Sequence, residues 1–238
     1  MSLYTISDLH LSLGEAKKSM EVFPGWENYV ENLEKNWIST VSEDDSVVIC
    51  GDISWAMNLE EAVKDFGFLN YLPGEKIILK GNHDYWWNTV TSMKKFLYEN
   101  NIQNIDFLYN NSFEVEGKII CGTRGWSLSI EDTVQDQKII DREVNRLNLS
   151  IEDAISKYGT DKEIIAILHY PPITQSNIVK NETTPFIQML REYGIKKCYY
   201  GHLHGLSIKD AVNGNVSEIE LHLISADGVD FKLQEIKE

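Results

Sequence analysis

Val47-Val48-Ile49-Cys50-Gly51-Asp52 decides the fold: four apolar residues, three of them β-favouring or small, then a glycine, then a carboxylate. A strand-like run that ends in a donor segment returns in Lys76-Ile77-Ile78-Leu79 ahead of Gly81-Asn82-His83-Asp84, in Ile164-Ile165-Ala166-Ile167-Leu168 ahead of His169, and in Lys197-Cys198-Tyr199-Tyr200 ahead of Gly201-His202-Leu203-His204. Leu3-Tyr4-Thr5-Ile6 runs in the same way into Asp8 and His10. Short apolar runs of this kind read as buried strands. Between them, residues 26–41, 59–72, 88–99 and 185–193 carry apolar side chains at three- and four-residue steps, the period of a one-sided helix. Strand alternating with helix predicts an α/β fold.

From Asp106 the pattern changes. Phe107-Leu108-Tyr109, Phe113-Glu114-Val115 and Ile119-Ile120-Cys121, separated by Asn110-Asn111 and Glu116-Gly117, read as a meander, and residues 218–225 and 229–236 as a second such set. Two mixed sheets packed face to face with helices outside accommodate both patterns. The chain of 238 residues shows no linker and no internal repeat, so one domain over 1–238 is expected. Residues 131–158 look like an inserted helical pair, interrupted where Ser150 and Asp153 have the spacing of a new helix start.

Composition narrows the function. A net charge of −15 from 37 acidic and 22 basic residues opposes attraction to DNA, RNA or anionic membranes. No apolar run reaches the roughly 20 residues of a membrane-spanning helix, and no basic leader precedes the first strand. Cys50, Cys121 and Cys198 lie far apart in apolar runs, as reduced core thiols do. A cytoplasmic protein that binds neither nucleic acid nor membrane is expected.

Five of the six histidines, His10, His83, His169, His202 and His204, fall where a strand gives way to a loop, and His222 lies inside a strand. Ligand groups converge at the carboxyl ends of strands in α/β sheets. The segments ending there offer carboxylate, amide and imidazole donors, a mixture suited to Mn, Fe or Zn. An extended backbone would turn both donors of Asp8-Leu9-His10, and both of His202-Leu203-His204, to one face. Gly51, Gly81 and Gly201, each directly before a donor, let the chain crowd against an ion.

This set of segments, in this order, resembles the signature of the calcineurin-like metallophosphoesterases: Asp-x-His, Gly-Asp, Gly-Asn-His-Asp, a lone His and Gly-His-x-His. The resemblance implies a four-layer α/β/β/α sandwich. It implies two metal ions, one held by Asp8, His10, Asp52 and His204, the other by Asp52, Asn82, His169 and His202, with Asp52 bridging. A hydroxide shared by the ions would attack phosphorus in line. His83 is then the general acid for the leaving alkoxide, and Asp84 would orient its imidazole and favour imidazolium. The substrate is expected to be a phosphate ester, a small molecule or a phosphoprotein, with monoester and diester both open. A nuclease of the same fold and a metal-binding interaction module without turnover are the alternatives.

Arg124, in Gly122-Thr123-Arg124-Gly125-Trp126, could clamp substrate phosphate with its planar fork, or pair with an acid. Trp55, Trp86, Trp87 and Trp126 lie close in sequence to these segments and could wall the site, although core packing accounts for most such residues.

Overall fold

A computed structural model describes residues 1–14, 18–128 and 133–237. Parallel strands β1 (Leu3–Ile6), β2 (Ser46–Ile49), β3 (Glu75–Leu79) and β4 (Ile105–Leu108) form the first sheet, in the order given. The second sheet begins with the hairpin β5 (Phe113–Val115) and β6 (Lys118–Thr123). It continues in parallel through β7 (Ile164–Leu168) and β8 (Lys197–Tyr200). The hairpin of β9 (Gly214–Val216) and β10 (Ile219–Leu223) completes it, with β10 parallel to β8. A short last strand, β11 (Gln234–Glu235), returns to lie antiparallel to β1 at the edge of the first sheet.

Side-chain alternation along these strands sorts the core into layers. Leu3, Val48, Cys50, Ile77 and Leu79 of the first sheet meet Ile120, Ile165, Ile167 and Tyr199 of the second in a dry layer between the sheets. On the outer face of the first sheet Val47, Ile49 and Ile78 pack under α1 (Tyr29–Thr40), α2 (Val63–Tyr71) and α3 (Val90–Glu99). On the outer face of the second, Cys121, Ala166, Leu168, Cys198 and Tyr200 pack under α4 (Val134–Tyr158) and α6 (Pro185–Glu192), which follows the short α5 (Gln175–Val179). The expected α/β/β/α sandwich results. All three cysteines are free and buried, and among the described residues no helix is long and apolar enough to cross a membrane.

Three expectations need correction. The meander from Asp106 does not form: β4 pairs in parallel with β3, and Asn110-Asn111 carries the chain from one sheet to the other. Of these two turn signals Glu116-Gly117, both at positive φ, does make a two-residue hairpin turn. At the C-terminus, Glu218 belongs to the β9–β10 turn, and residues 229–236 cross to the first sheet instead of pairing with β10. Finally, the proposed helical pair is one unbroken helix, α4, connecting parallel β6 and β7; residues 131 and 132 lie outside the described residues. Ser150 starts no new helix, because its hydroxyl is buried at the sheet, donating to the Asn111 carbonyl (2.6 Å) and accepting from the Gly122 N–H (2.9 Å). The helix starts at Thr133, which forms a capping box with Asp136.

Candidate metal centre

All five donor segments leave the carboxyl ends of parallel strands: β1, β2 and β3 from the first sheet, β7 and β8 from the second. The two sheets are tied together there. Ser7 N–H donates to the Ile224 carbonyl and Ala226 N–H to the Ser7 carbonyl, both at 2.9 Å. This seam brings Asp8 beside the His202–His204 loop, whose His202 N–H donates to Asp8 Oδ2 at 2.9 Å.

Two groups of donors emerge, Asp8 with His10 and His204, and Asp8 with Asp52 and His169. His204 Nε2 is 3.0 Å from Asp8 Oδ1 and 3.2 Å from His10 Nε2. Asp52 Oδ2 lies 3.7 Å from His10 Nε2 and 3.6 Å from His169 Nε2. Asn82 Oδ1 approaches His169 Nε2 to 2.7 Å. His202 stands beside them, its ring 5.2 Å from that of His169 and 4.1 Å from that of Tyr170.

The backbone achieves this convergence in an unexpected way. Asp8, His10, Asp52 and His202 all adopt left-handed φ, 63°, 45°, 52° and 74°. The extended Asp-x-His and His-x-His backbones expected from the sequence are therefore replaced by tight turns, each left-handed residue costing about 1–2 kcal/mol. The glycines answer a steric demand. A Cβ on Gly81 would sit 2.1 Å from Asp52 Oδ1, and one on Gly201 would sit 2.0 Å from Ser7 Oγ and 2.3 Å from Asp8 Oδ2.

Tautomers are set from behind. His169 Nδ1–H donates to the Cys50 carbonyl at 2.9 Å, which leaves the Nε2 lone pair facing the Asn82 oxygen. Two acceptors 2.7 Å apart make an arrangement a cation completes. His204 Nδ1–H donates to Asp227 Oδ1 at 3.1 Å, while the other Asp227 oxygen accepts from Gly205 N–H at 2.7 Å. The sequence reading missed Asp227, which lies beyond every recognisable motif and reaches the site only through the fold.

Electrostatics points the same way. Asp8, Asp52 and Asp84 are all fully buried. Burial opposes ionisation of Asp8, yet the charge and hydrogen bond of His204, then His169 and His10, hold its carboxyl well below the usual range. For His204, burial is outweighed by Asp8 and Asp227, and its pKa is pushed up to about 10. Burial lowers His10 and His169 to about 3 and His202 to about 4. Asp52 is raised well above the carboxylate range, first by burial and then by the negative charges of Asp84 and Asp8. A buried set of carboxyl oxygens and imidazole nitrogens, with His10 Nδ1 also unpartnered, fits divalent cations once His204 gives up its proton.

One role assignment changes. Asp84 makes no hydrogen bond to the His83 imidazole. Its Oδ2 accepts from the N–H groups of Gly81 (2.7 Å) and Asp52 (2.9 Å), and its Oδ1 from Ile53 N–H (2.8 Å), Ser54 N–H (3.3 Å) and the Trp86 indole (3.0 Å). Asp84 is thus the clamp that joins the Gly81 and Asp52 loops, and it makes no contact that would favour imidazolium at His83. His83 is lowered by burial first and by His204 second. Its backbone N–H donates to Asp52 Oδ1 at 2.7 Å, its ring lies 4.5 Å from Trp55, and its Nδ1 has no partner. Of the tryptophans, Trp55 also stacks on His10 at 4.8 Å, Trp86 and Trp87 pack in the core, and Trp126 lies 5.7 Å from Tyr170.

Comparison with known proteins agrees with this geometry. Residues 1–206 match the family model described as calcineurin-like phosphoesterase. The chain is 25% identical over 183 residues to the uncharacterized protein MJ1445 of Methanocaldococcus jannaschii, covering 75% of this chain and 89% of that one. It is 33% identical over 78 residues to the Gene 66 protein of Mycobacterium phage L5, a match spanning 33% of this chain and 37% of the phage protein. Among solved structures, phosphopantetheinyl hydrolase (PptH) from Mycobacterium tuberculosis shares the fold with a TM-score of 0.59 at 12% identity, over 99% of this chain and 95% of that one.

Proposed function

Since the chain belongs to the calcineurin-like phosphoesterase family, we propose that it hydrolyses a phosphate ester, monoester or diester, at a two-metal centre. The observation that carries this reading is the position of Asp52 Oδ2, 3.7 Å from His10 Nε2 and 3.6 Å from His169 Nε2, between two donor sets. One ion would be held by Asp8, His10, Asp52 and His204, the other by Asp52, Asn82, His169 and His202. The mixed oxygen and nitrogen donors favour Mn, Fe or Zn. When bound, such ions supply Lewis-acid neutralisation of the phosphoryl group and activate the attacking water.

The chain's own residues do the rest. Asp52 offers one carboxylate to both positions, with its other oxygen pinned by the His83 N–H. His83 is the acid we assign to the leaving alkoxide; its ring stands 5.7 Å from that of His10, which supports that reading. A phosphoryl dianion arriving beside it raises its proton affinity, reversing the lowering that burial imposes. Asp84 serves by holding the Asp52 and Gly81 loops together. Asn82 and Arg124 are the substrate contacts. A net charge of −15 sets the nuclease alternative behind hydrolysis of small esters or phosphoproteins.

The test is hydrolysis of p-nitrophenyl phosphate and bis-p-nitrophenyl phosphate by metal-stripped protein, with Mn, Fe(II) or Zn restored. Activity should return with metal and fall in His83→Ala, whose metal content should stay intact. Asp52→Ala should lose both ions. An active, metal-free Asp52→Ala protein overturns the mechanism, and a metal-loaded but inert wild type favours the interaction module.

A further inference from the structure

Val22 and Phe23 are left in solvent beside the metal centre, 78% and 53% exposed. The stretch that carries them is anchored on both sides. Before them, Met20 is buried and its carbonyl accepts from Phe23 N–H at 2.9 Å. After them, Trp26 is buried and its N–H donates to the Phe23 carbonyl at 3.2 Å. The Trp26 ring meets that of His10 at 5.9 Å and that of His204 at 5.7 Å. The two exposed side chains are thus held in place by a tryptophan that packs against two donors.

Both side chains face one open cleft of about 690 Å³, whose mainly apolar wall also includes Met20, Trp55 and Lys18. Small-molecule sites span roughly 300–1,000 Å³. Trp55 is the boundary that this cleft shares with the metal centre. Its ring stacks on His10 at 4.8 Å and lies 4.5 Å from His83. The Lys18 ammonium stands over the same ring, 5.4 Å from the centroid, and among the described residues no carboxylate pairs with it. A cation on this boundary suits a ligand that is negative where it meets the ions and apolar beyond them.

Apolar side chains that share one concave surface are held in water at a cost that a covering ligand would remove. The net charge of −15 repels a second copy of the chain and an anionic membrane alike. Continuity with the donors through Trp55 suits the substrate itself. We propose that this cleft receives the organic group of the substrate, so that phosphoesters of an apolar alcohol are the preferred class, ahead of sugar phosphates and phosphoproteins. This rests on the hydrolase reading above and narrows its substrate.

The probes are methylphosphonate and hexylphosphonate, which carry no ester bond and differ only in the length of an alkyl chain. Titration calorimetry on metal-loaded protein, with metal content measured alongside, should show hexylphosphonate binding about tenfold more tightly or better. Its heat-capacity change should also be the more negative. Val22→Ser and Phe23→Ser, both at exposed positions, should each lower that ratio and leave the methylphosphonate affinity unchanged, and the double variant should bring the ratio toward one. Equal affinities in the wild type, or binding of neither probe, would overturn the proposal. A preference that survives the double variant would also overturn it, by seating the alkyl chain elsewhere. So would a dimer in size-exclusion chromatography that Phe23→Ser dissociates with both affinities unchanged, since the cleft would then belong to a second copy. Because the readout needs no turnover, a chain that prefers hexylphosphonate without hydrolysing p-nitrophenyl phosphate refutes the hydrolase reading alone. One that hydrolyses it without the preference refutes the cleft assignment alone.

Discussion

Gly201→Ala isolates how tightly the centre is built. The added Cβ would stand 2.3 Å from Asp8 Oδ2 and 2.0 Å from Ser7 Oγ, and restoring an ordinary contact of about 3.4 Å requires Asp8 to retreat by about 1 Å. That retreat stretches the 2.9 Å bond from His202 N–H and the 3.0 Å pair with His204. Overpacking of this kind costs about 1–3 kcal/mol, and weakening one charge-assisted hydrogen bond adds about 1.5–3 kcal/mol. A loss of about 2.5–6 kcal/mol follows, roughly 5–24 °C in Tm for a chain of this size. The control is Gly67→Ala. Gly67 lies exposed inside α2 with nothing within 4 Å of the new methyl, so the same substitution should stabilise by about 0.5–1 kcal/mol. Urea unfolding of both variants, with metal content measured by mass spectrometry, is the assay. If Gly201→Ala keeps both ions and loses less than about 1 kcal/mol, the close packing of Gly201 on Asp8 does not position the ligand.

Asp84→Asn should lower stability by about 1–3 kcal/mol and weaken metal retention, since an amide has one accepting oxygen and its NH2 would face either the Gly81 and Asp52 N–H groups or the Ile53, Ser54 and Trp86 donors; a fall in turnover with stability and metal content intact would restore the orienting role. Asp227→Ala should reduce metal affinity about 10–100-fold by freeing His204 Nδ1, and an unchanged affinity in metal competition titrations would remove Asp227 from the site. His204, raised to about 10 in the metal-free protein, must shed a proton to ligate through Nε2. Mn affinity should therefore climb with pH across neutrality, and calorimetry in buffers of different ionisation enthalpy should detect proton release; none released would contradict the ion pair. The stability linkage has the opposite direction without metal. A raised folded pKa stabilises fully below the unfolded value of about 6.5 and less as pH rises towards about 10, so metal-free protein should lose stability over that window, and a flat urea midpoint there would refute it.

The five donor segments were legible because each is local: an apolar run and then a donor, with a glycine directly before the donor in three of them, and every step within a few residues of the last. The order of strands was not. Phe107 and Phe113 look alike in sequence, yet β4 belongs to the first sheet and β5 to the second, because partner choice is settled by which layer each apolar face completes. The interruption read at Ser150 had a similar cause, since a Ser-x-x-Asp spacing marks a helix start only when the hydroxyl faces its own backbone, and here it faces the sheet. Asp227 and Glu143 were invisible for the same reason, as their partners lie 23 and 20 residues away at His204 and Thr123.

The reading of Asp84 shows where adjacency in sequence misleads. His83 and Asp84 are neighbours, so pairing them was natural, but consecutive side chains point apart and the carboxylate turns inward to five N–H donors. The inward turn is what permits the rest. Asp52 stands in a left-handed conformation, and its N–H and that of Ile53 have no strand partner there. Bound to Asp84, they let the chain reverse sharply enough to aim the Asp52 carboxylate between His10 and His169. Gly81 then approaches Asp52 too closely for any Cβ. Within Gly-Asn-His-Asp, the first and last residues thus shape the loop against Asp52, while Asn82 reaches His169 and the His83 ring lies beside Trp55.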